Sequence, residues 1–324
     1  MESIAHFAKQ FNSFLNTKTQ ARSPRTLYDP VNYILNLGGK RVRPALVLMS
    51  ADLFDVPSEK ALDAALAIEV FHNFSLVHDD IMDDAPKRRG KDTVHEKWDV
   101  NTGILSGDAM LIWAYRCFES YESQTFFELV KLFSKTAEEV CVGQQYDMDF
   151  ENTEQVKIEE YIEMIRLKTA VLVACAFQMG GIIAEASPED QKKLYNFGQD
   201  LGIAFQIQDD LLDVYGDPET FGKQVGGDII ENKKTFLYLK ALELAEENDR
   251  SQLIHLFSIQ PNDPDSKIET VKQIYDQYDI RPVATEHINN YTNSALKALG
   301  ELNIDDIKKT KLERFAEELM QREV

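Results

Sequence analysis

Cysteine is scarce in this chain of 324 residues, and the three present, Cys117, Cys141 and Cys175, are odd in number and widely spaced. No Cys-x-x-Cys occurs, which argues against a disulfide framework or a structural zinc site and for a reducing, cytoplasmic setting. Positive charge is also in short supply: 35 Lys and Arg face 55 Asp and Glu, a formal net charge of −20. That balance argues against nucleic acid or an anionic membrane surface as a partner. Long apolar runs are missing too. The N-terminal segment MESIAHFAKQFNSF is amphipathic and has no apolar signal core. The longest apolar stretch, 171–184, contains Gln178 and two glycines, and it is shorter than the roughly 20 residues a membrane span needs. It reads as a buried helix.

Ten prolines and fifteen glycines leave most of the chain unpunctuated. Alternating strand patterns with Asn-Gly or Asp-Gly turns are absent. Apolar residues instead recur at three-and-four spacing over 43–54, 60–83, 103–122, 125–149, 157–184, 189–214 and 233–247, the pattern of amphipathic helices. These features predict an all-α fold in a single domain, 1–324, a large helical bundle with long central helices. The motif-bearing core runs over about 36–240. The remainder, 241–324, reads as further helices, with two or three after 265 packed on the outside. A P-loop is excluded because no Gly-x-x-x-x-Gly-Lys-Ser/Thr occurs, and a Rossmann unit because alternating strands are lacking.

One short pattern occurs twice, LVHDDIMD with Asp79, Asp80 and Asp83, and QIQDDLLD with Asp209, Asp210 and Asp213. Each copy ends an apolar helical run. On a helix, residues four apart share a face, so Asp79 stacks with Asp83 and Asp209 with Asp213. Like charges at that spacing repel, and the negative end of the helix adds to the cost. One such cluster can be a solvated helix end; two, each below an apolar helix, point to a bound cation. Oxygen-only donors suit magnesium, which completes its shell with phosphates and water. Asp84 extends the first cluster as a solvated neighbour.

In so acidic a chain, grouped cations carry information. GGKRVRP at 38–44 sets Lys40, Arg41 and Arg43 beside two glycines. Arg88 and Arg89 follow the first aspartate cluster, and Lys223, Lys233 and Lys234 follow the second. Lys168 and Thr169 sit inside an apolar helix, and a lysine buried there needs an anionic partner. Glycine lets backbone approach an anion while Arg or Lys supplies the charge. Two basic sets beside two carboxylate sets predict two polyanions, one bridged by metal and one held by cations directly.

The ordered series GGKRVRP, HDDIMDDAPKRRGK, TVHEKWDVNTGILSGDAML, KTA, FQIQDDLLDVYGD and GKQVGGDIIENKK resembles the trans-isoprenyl diphosphate synthases, or polyprenyl synthetases, over about 36–240. The resemblance implies the isoprenoid-synthase fold, with both aspartate motifs on a central cavity, and prenyl transfer from an allylic diphosphate to isopentenyl diphosphate. It implies that Asp79, Asp80, Asp83, Asp209, Asp210 and Asp213 gather magnesium ions, three per active site, around the allylic diphosphate. By the same carry-over, Arg88, Lys168, Lys223 and Lys233 contact that diphosphate. Lys40, Arg43, His72 and Arg89 hold isopentenyl diphosphate, and Lys168, Thr169 and Gln206 lie near the reacting carbon. A homodimer is implied as well.

In such enzymes an aromatic residue five positions before the first aspartate acts as a floor for the growing chain. Phe74 occupies that position, about 7.5 Å up the helix from Asp79, and Phe71 lies about 12 Å up. Ser75 at the fourth position departs from the paired aromatics of many animal-type farnesyl synthases, and the two-residue insertion of the bacterial farnesyl type is missing. The resemblance therefore implies geranylgeranyl diphosphate (C20) as the product, with farnesyl diphosphate (C15) as the alternative. A non-catalytic partner subunit of a prenyl synthase is the reading of another class, and it is disfavoured because both aspartate motifs are intact.

Overall fold

The computed structural model describes residues 4–216 and 225–320. The chain divides into two compact units, Met1–Ser134 with Cys175–Lys192, and Lys135–Ala174 with Lys193–Val324. Both are helical, as the three-and-four periodicity predicts.

In the first unit, helices α1 (Ile4–Lys18), α2 (Arg25–Asn36) and α3 (Val42–Asp52) lead into α4 (Leu62–Met82). A two-residue hairpin follows, β1 (Lys87–Arg88) antiparallel to β2 (Lys91–Asp92), with Lys87 opposite Asp92. Then come α5 (Val94–Lys97), α6 (Val100–Arg116) and the first part of α7 (Ser123–Asn152). The hairpin is too short for sequence alternation to reveal. From Ala64 to Phe71, α4 is buried on every face, the mark of a core helix rather than a surface one. It packs most extensively on α6. Asp99 starts α6 by accepting hydrogen bonds from the Thr102 amide and hydroxyl, both at 2.8 Å.

The second unit takes the rest of α7, then α8 (Ile158–Ile165), a π-helical turn (Arg166–Ala170) and the start of α9 (Val171–Ile183). It continues through most of α10 (Pro188–Tyr215), a single turn (Gly227–Ile230), α11 (Phe236–Leu244), α12 (Glu247–Leu256), α13 (Asp265–Gln277), α14 (Ile280–Gly300) and α15 (Asp306–Met320). Ser187 caps α10, its hydroxyl accepting from the Asp190 amide at 3.1 Å, and Pro188 takes the first helical position, where no backbone donor is missed.

The late helices do not lie outside this unit, as the sequence suggests. Val271, Ile274 and Tyr275 on α13 and Ile280, Ala284 and Ile288 on α14 belong to one buried core with Ile165, Ala204, Ile207, Leu211 and Phe236. Their three-and-four spacing makes an apolar stripe, and burying it yields about 25 cal/mol per Å² of apolar surface. The helical stretch Ile158–Ile183 is long and apolar enough to cross a membrane, but 72% of its most apolar window is buried inside the protein. Its apolar surface is used in packing, as expected for 171–184.

Candidate active site

In the first unit the basic residues converge. The turn before α3 is shaped by backbone that favours glycine: Gly38 and Gly39 have φ of +87° and +125°, and Arg41 follows at +50°. A side chain at Gly39 would put its Cβ 2.9 Å from the guanidinium of Arg89, which donates to the Gly38 carbonyl. Glycine is thus required here so that Arg89 can lie against the turn. Arg41 is structural. Fully enclosed, it pairs with Glu69 and donates to the Leu35 carbonyl, while Asn73 donates to Glu69 at 2.9 Å. This buried network ties the turn to α4, although Asn73 Oδ1 is left without a partner.

Arg43 contacts His72 across 3.4 Å, and its Nε is buried without a hydrogen-bond partner. Burial lowers the pKa of Arg43. Burial, and then the charges of Arg43, Arg89, Arg88 and Arg41, push His72 well below the ordinary histidine range. His72 is therefore neutral, in a pocket whose cations repel one another. Lys40 stands exposed at the edge of the turn.

Asp80, 1% exposed, turns inward and holds Arg88 through a forked pair of hydrogen bonds from Nε, both at 2.9 Å, reinforced by an Nη2 contact at 2.7 Å. Asp79 on α4 is half-buried, and Asp83, the residue that ends the helix one turn later, is exposed. Above them, Phe74 is half-buried and its ring lies 4.8 Å from His78 and 5.5 Å from Phe71. Phe71 is fully buried and meets Phe133 edge-on at 5.1 Å; Phe133 also contacts Phe118 at 5.2 Å. The aromatic cluster thus extends beyond the two residues that position on α4 identifies. Phe133 comes from α7, 54 residues after Asp79, so nothing local in the sequence marks it.

In the second unit the arrangement repeats with other partners. Asp210, 4% exposed, accepts from the Tyr161 hydroxyl, the Phe236 amide at 3.1 Å and Gln206 Nε2 at 3.3 Å. Thr169 Oγ1 donates to Gln206 Oε1 at 3.2 Å. Thr169, Gln206 and Asp210 are thereby joined in one chain of hydrogen bonds, which brings together three residues expected in the site. Asp213 accepts from the Asp228 amide at 3.0 Å. Burial, and then the charge of Asp228, raises the Asp210 carboxyl to about 8; burial, and then the charge of Asp213, raises Asp228 to about 7. This crowding of acid groups is what a cation would relieve.

Lys168 stands in the π turn and pairs with Asp147 at 2.5 Å, the anion its burial requires. A π turn widens the helix by one residue and is frequent at functional sites. Here Gly143 admits the turn: a Cβ on it would sit 2.3 Å from the Lys168 amide nitrogen. Lys233 bonds to Glu231 at 2.8 Å and lies 3.9 Å from Asp228. Lys234 instead donates to the Phe150 and Thr153 carbonyls, closing the C-terminal end of α7 as a cation should. Lys223 lies outside the described residues. Asp147, Tyr161 and Asp228 are polar partners that the sequence reading does not assign. Asp147 follows GQQY on α7 and Asp228 follows two glycines, but only the fold shows what they meet.

The polyprenyl synthetase family model matches residues 24–277. The geranylgeranyl diphosphate synthase of Saccharolobus solfataricus is 37% identical over 286 residues, covering 87% of this chain and 86% of that one. A geranylfarnesyl diphosphate synthase of Natronomonas pharaonis is 35% identical over 338 residues, covering 98% and 96%. A crystal structure of a geranylgeranyl pyrophosphate synthase superposes with a TM-score of 0.96 at 51% identity over the whole of both chains.

Proposed function

The chain belongs to the polyprenyl synthetase family and is a prenyltransferase, and from that premise we propose that it condenses isopentenyl diphosphate with an allylic diphosphate to release geranylgeranyl diphosphate, the C20 product. One observation carries the reading. Arg43, Arg88 and Arg89 gather round a neutral His72 with too little negative charge to balance them, and a diphosphate supplies it. Lys40 at the rim adds a further donor.

Prenyl synthases generally depend on magnesium. The donors fit a hard dication: carboxylates four apart on α4, and a second set crowded enough that Asp210 and Asp228 retain protons. Asp79, Asp83, Asp209 and Asp213 would hold the ions, three per active site. When bound, magnesium stabilises the charge that develops on the departing diphosphate. Asp80 and Asp210 act by orientation: Asp80 aims Arg88, and Asp210 fixes Gln206. Arg88, Lys168, Lys223 and Lys233 hold the allylic diphosphate as its C–O bond breaks. The hydroxyl of Thr169 and the amide of Gln206 face the allylic cation with dipoles that stabilise it and do not capture it. The double bond of isopentenyl diphosphate then forms the new C–C bond, and the proton lost goes to the departing diphosphate. No protein nucleophile takes part.

Phe74, backed by Phe71 and Phe133, halts elongation. The enzyme works as a cytoplasmic homodimer, for which the exposed apolar side chains Ile104, Leu105 and Ile112 on α6 supply a face. Purified protein incubated with isopentenyl diphosphate and each allylic starter, with and without EDTA, tests the reading. The expected result is C20 as the main product and its loss on chelation. A main product of C15 or C25 removes the chain-length assignment. Absence of turnover returns the chain to the class of partner subunits.

A further inference from the structure

The strap that carries Arg88 and Arg89 has a second group of metal donors at its base. Asp84 leaves the end of α4, and His95 and Glu96 lie on α5, just beyond the hairpin. One ligand atom from each of the three falls within 4.8 Å of the others. The His95 side chain is 5% exposed, and neither of its ring nitrogens has a hydrogen-bond partner. A buried imidazole left with both nitrogens unmet has given up its hydrogen bonds to water without replacement, and it calls for an ion or water. Its Nε2 already lies 3.8 Å from Glu96 Oε1. Two donors on one zinc, each about 2.1 Å away, sit about 3.4 Å apart, so a small closure brings them onto one ion.

We propose that Asp84, His95 and Glu96 form a transition-metal site, selective for Zn²⁺ over Mg²⁺, that staples the two ends of the arginine-bearing strap. The imidazole sets the selectivity, because magnesium prefers oxygen donors and imidazole suits zinc. Three protein ligands leave the fourth zinc position to water. The backbone ties the strap through the pairing of Lys87 with Asp92 and of Arg88 with Lys91, and through the bond from the Thr93 amide to the Pro86 carbonyl at 3.2 Å. An ion held by Asp84 at one end and by His95 and Glu96 at the other adds a side-chain tie below the hairpin, and so restricts the approach of Arg88 and Arg89 to their anions.

The test is metal binding without substrate, so its outcome is independent of which prenyl product is made. EDTA-treated full-length protein is held in excess Mg²⁺ to fill the oxygen sites, then titrated with Zn²⁺ by calorimetry and with Co²⁺ by visible absorption. One site per chain is expected, with a Co²⁺ spectrum of low-coordinate, nitrogen-containing type. Asp84→Asn and Glu96→Gln alter exposed side chains, so folding should be retained, and each should weaken binding by about tenfold or more. His95→Gln should abolish it, and with ring-labelled histidine one imidazole should respond to Zn²⁺ in the wild type. Isotherms unchanged in both exposed variants, or no zinc uptake in excess Mg²⁺, overturn the proposal.

Discussion

The middle aspartate of each cluster is the residue that the repeated pattern disguises. Read as DDxxD, all six carboxylates look equivalent. In the fold, Asp80 is committed to Arg88, and Asp210 to Tyr161, Gln206 and the Phe236 amide. The second position lies on the inward side of its helix, where a charge must be hydrogen-bonded. The same reasoning by position applies to Phe74. Five residues from Asp79 it is legible as a floor, while Phe133 behind Phe71 is not, since it arrives from another helix. Phe74→Ala should therefore lengthen the product by a limited step, because Phe71 remains locked against Phe133. Product chain length measured by mass spectrometry checks this. An unchanged C20 product removes Phe74 from the role, and unrestricted elongation removes Phe71 and Phe133.

At the scale of the element, the helices themselves were readable. Periodicity marks α4, α7 and α10 nearly to their ends, because their apolar stripes are long and few glycines or prolines interrupt them. The π turn at Arg166–Ala170 is not readable, since one extra residue in RLKTA hardly alters the three-and-four pattern on either side; it is seated by Gly143 from α7. The depth of α13 is also hidden. Its Lys267, polar in any pattern, is 2% exposed and donates to Asn232 Oδ1 and to the Ile259 carbonyl at 3.1 Å. Asn232 sits at φ +60° beside Lys233, so a late helix holds the segment that follows the second aspartate cluster. Lys267→Met should leave both acceptors without their donor and destabilise the protein by about 1–3 kcal/mol. Urea unfolding gives the value. A loss below a few tenths of a kcal/mol would mean that the bond adds nothing.

For the whole molecule, a net charge of −20 sets the background against which Asp210 and Asp228 titrate. The folded protein holds protons on Asp210, up to about pH 8, and on Asp228, up to about pH 7. The unfolded chain releases such protons near pH 4. Between these limits the folded state is the one richer in protons, so its stability is greatest at the acid end and falls as pH rises through 7 and 8. A divalent cation replaces those protons and acts in the opposite sense. Mg²⁺ should therefore raise the melting temperature of EDTA-treated protein more at pH 8 than at pH 6, by mass action on the folded state. Asp228→Asn removes one of the competing protons and should narrow the difference between the two pH values. Thermal unfolding at both, at constant ionic strength so that general screening of the acidic surface is matched, decides the matter. Equal Mg²⁺ increments at pH 6 and pH 8 would mean that the ions bind away from the buried acids of the second cluster.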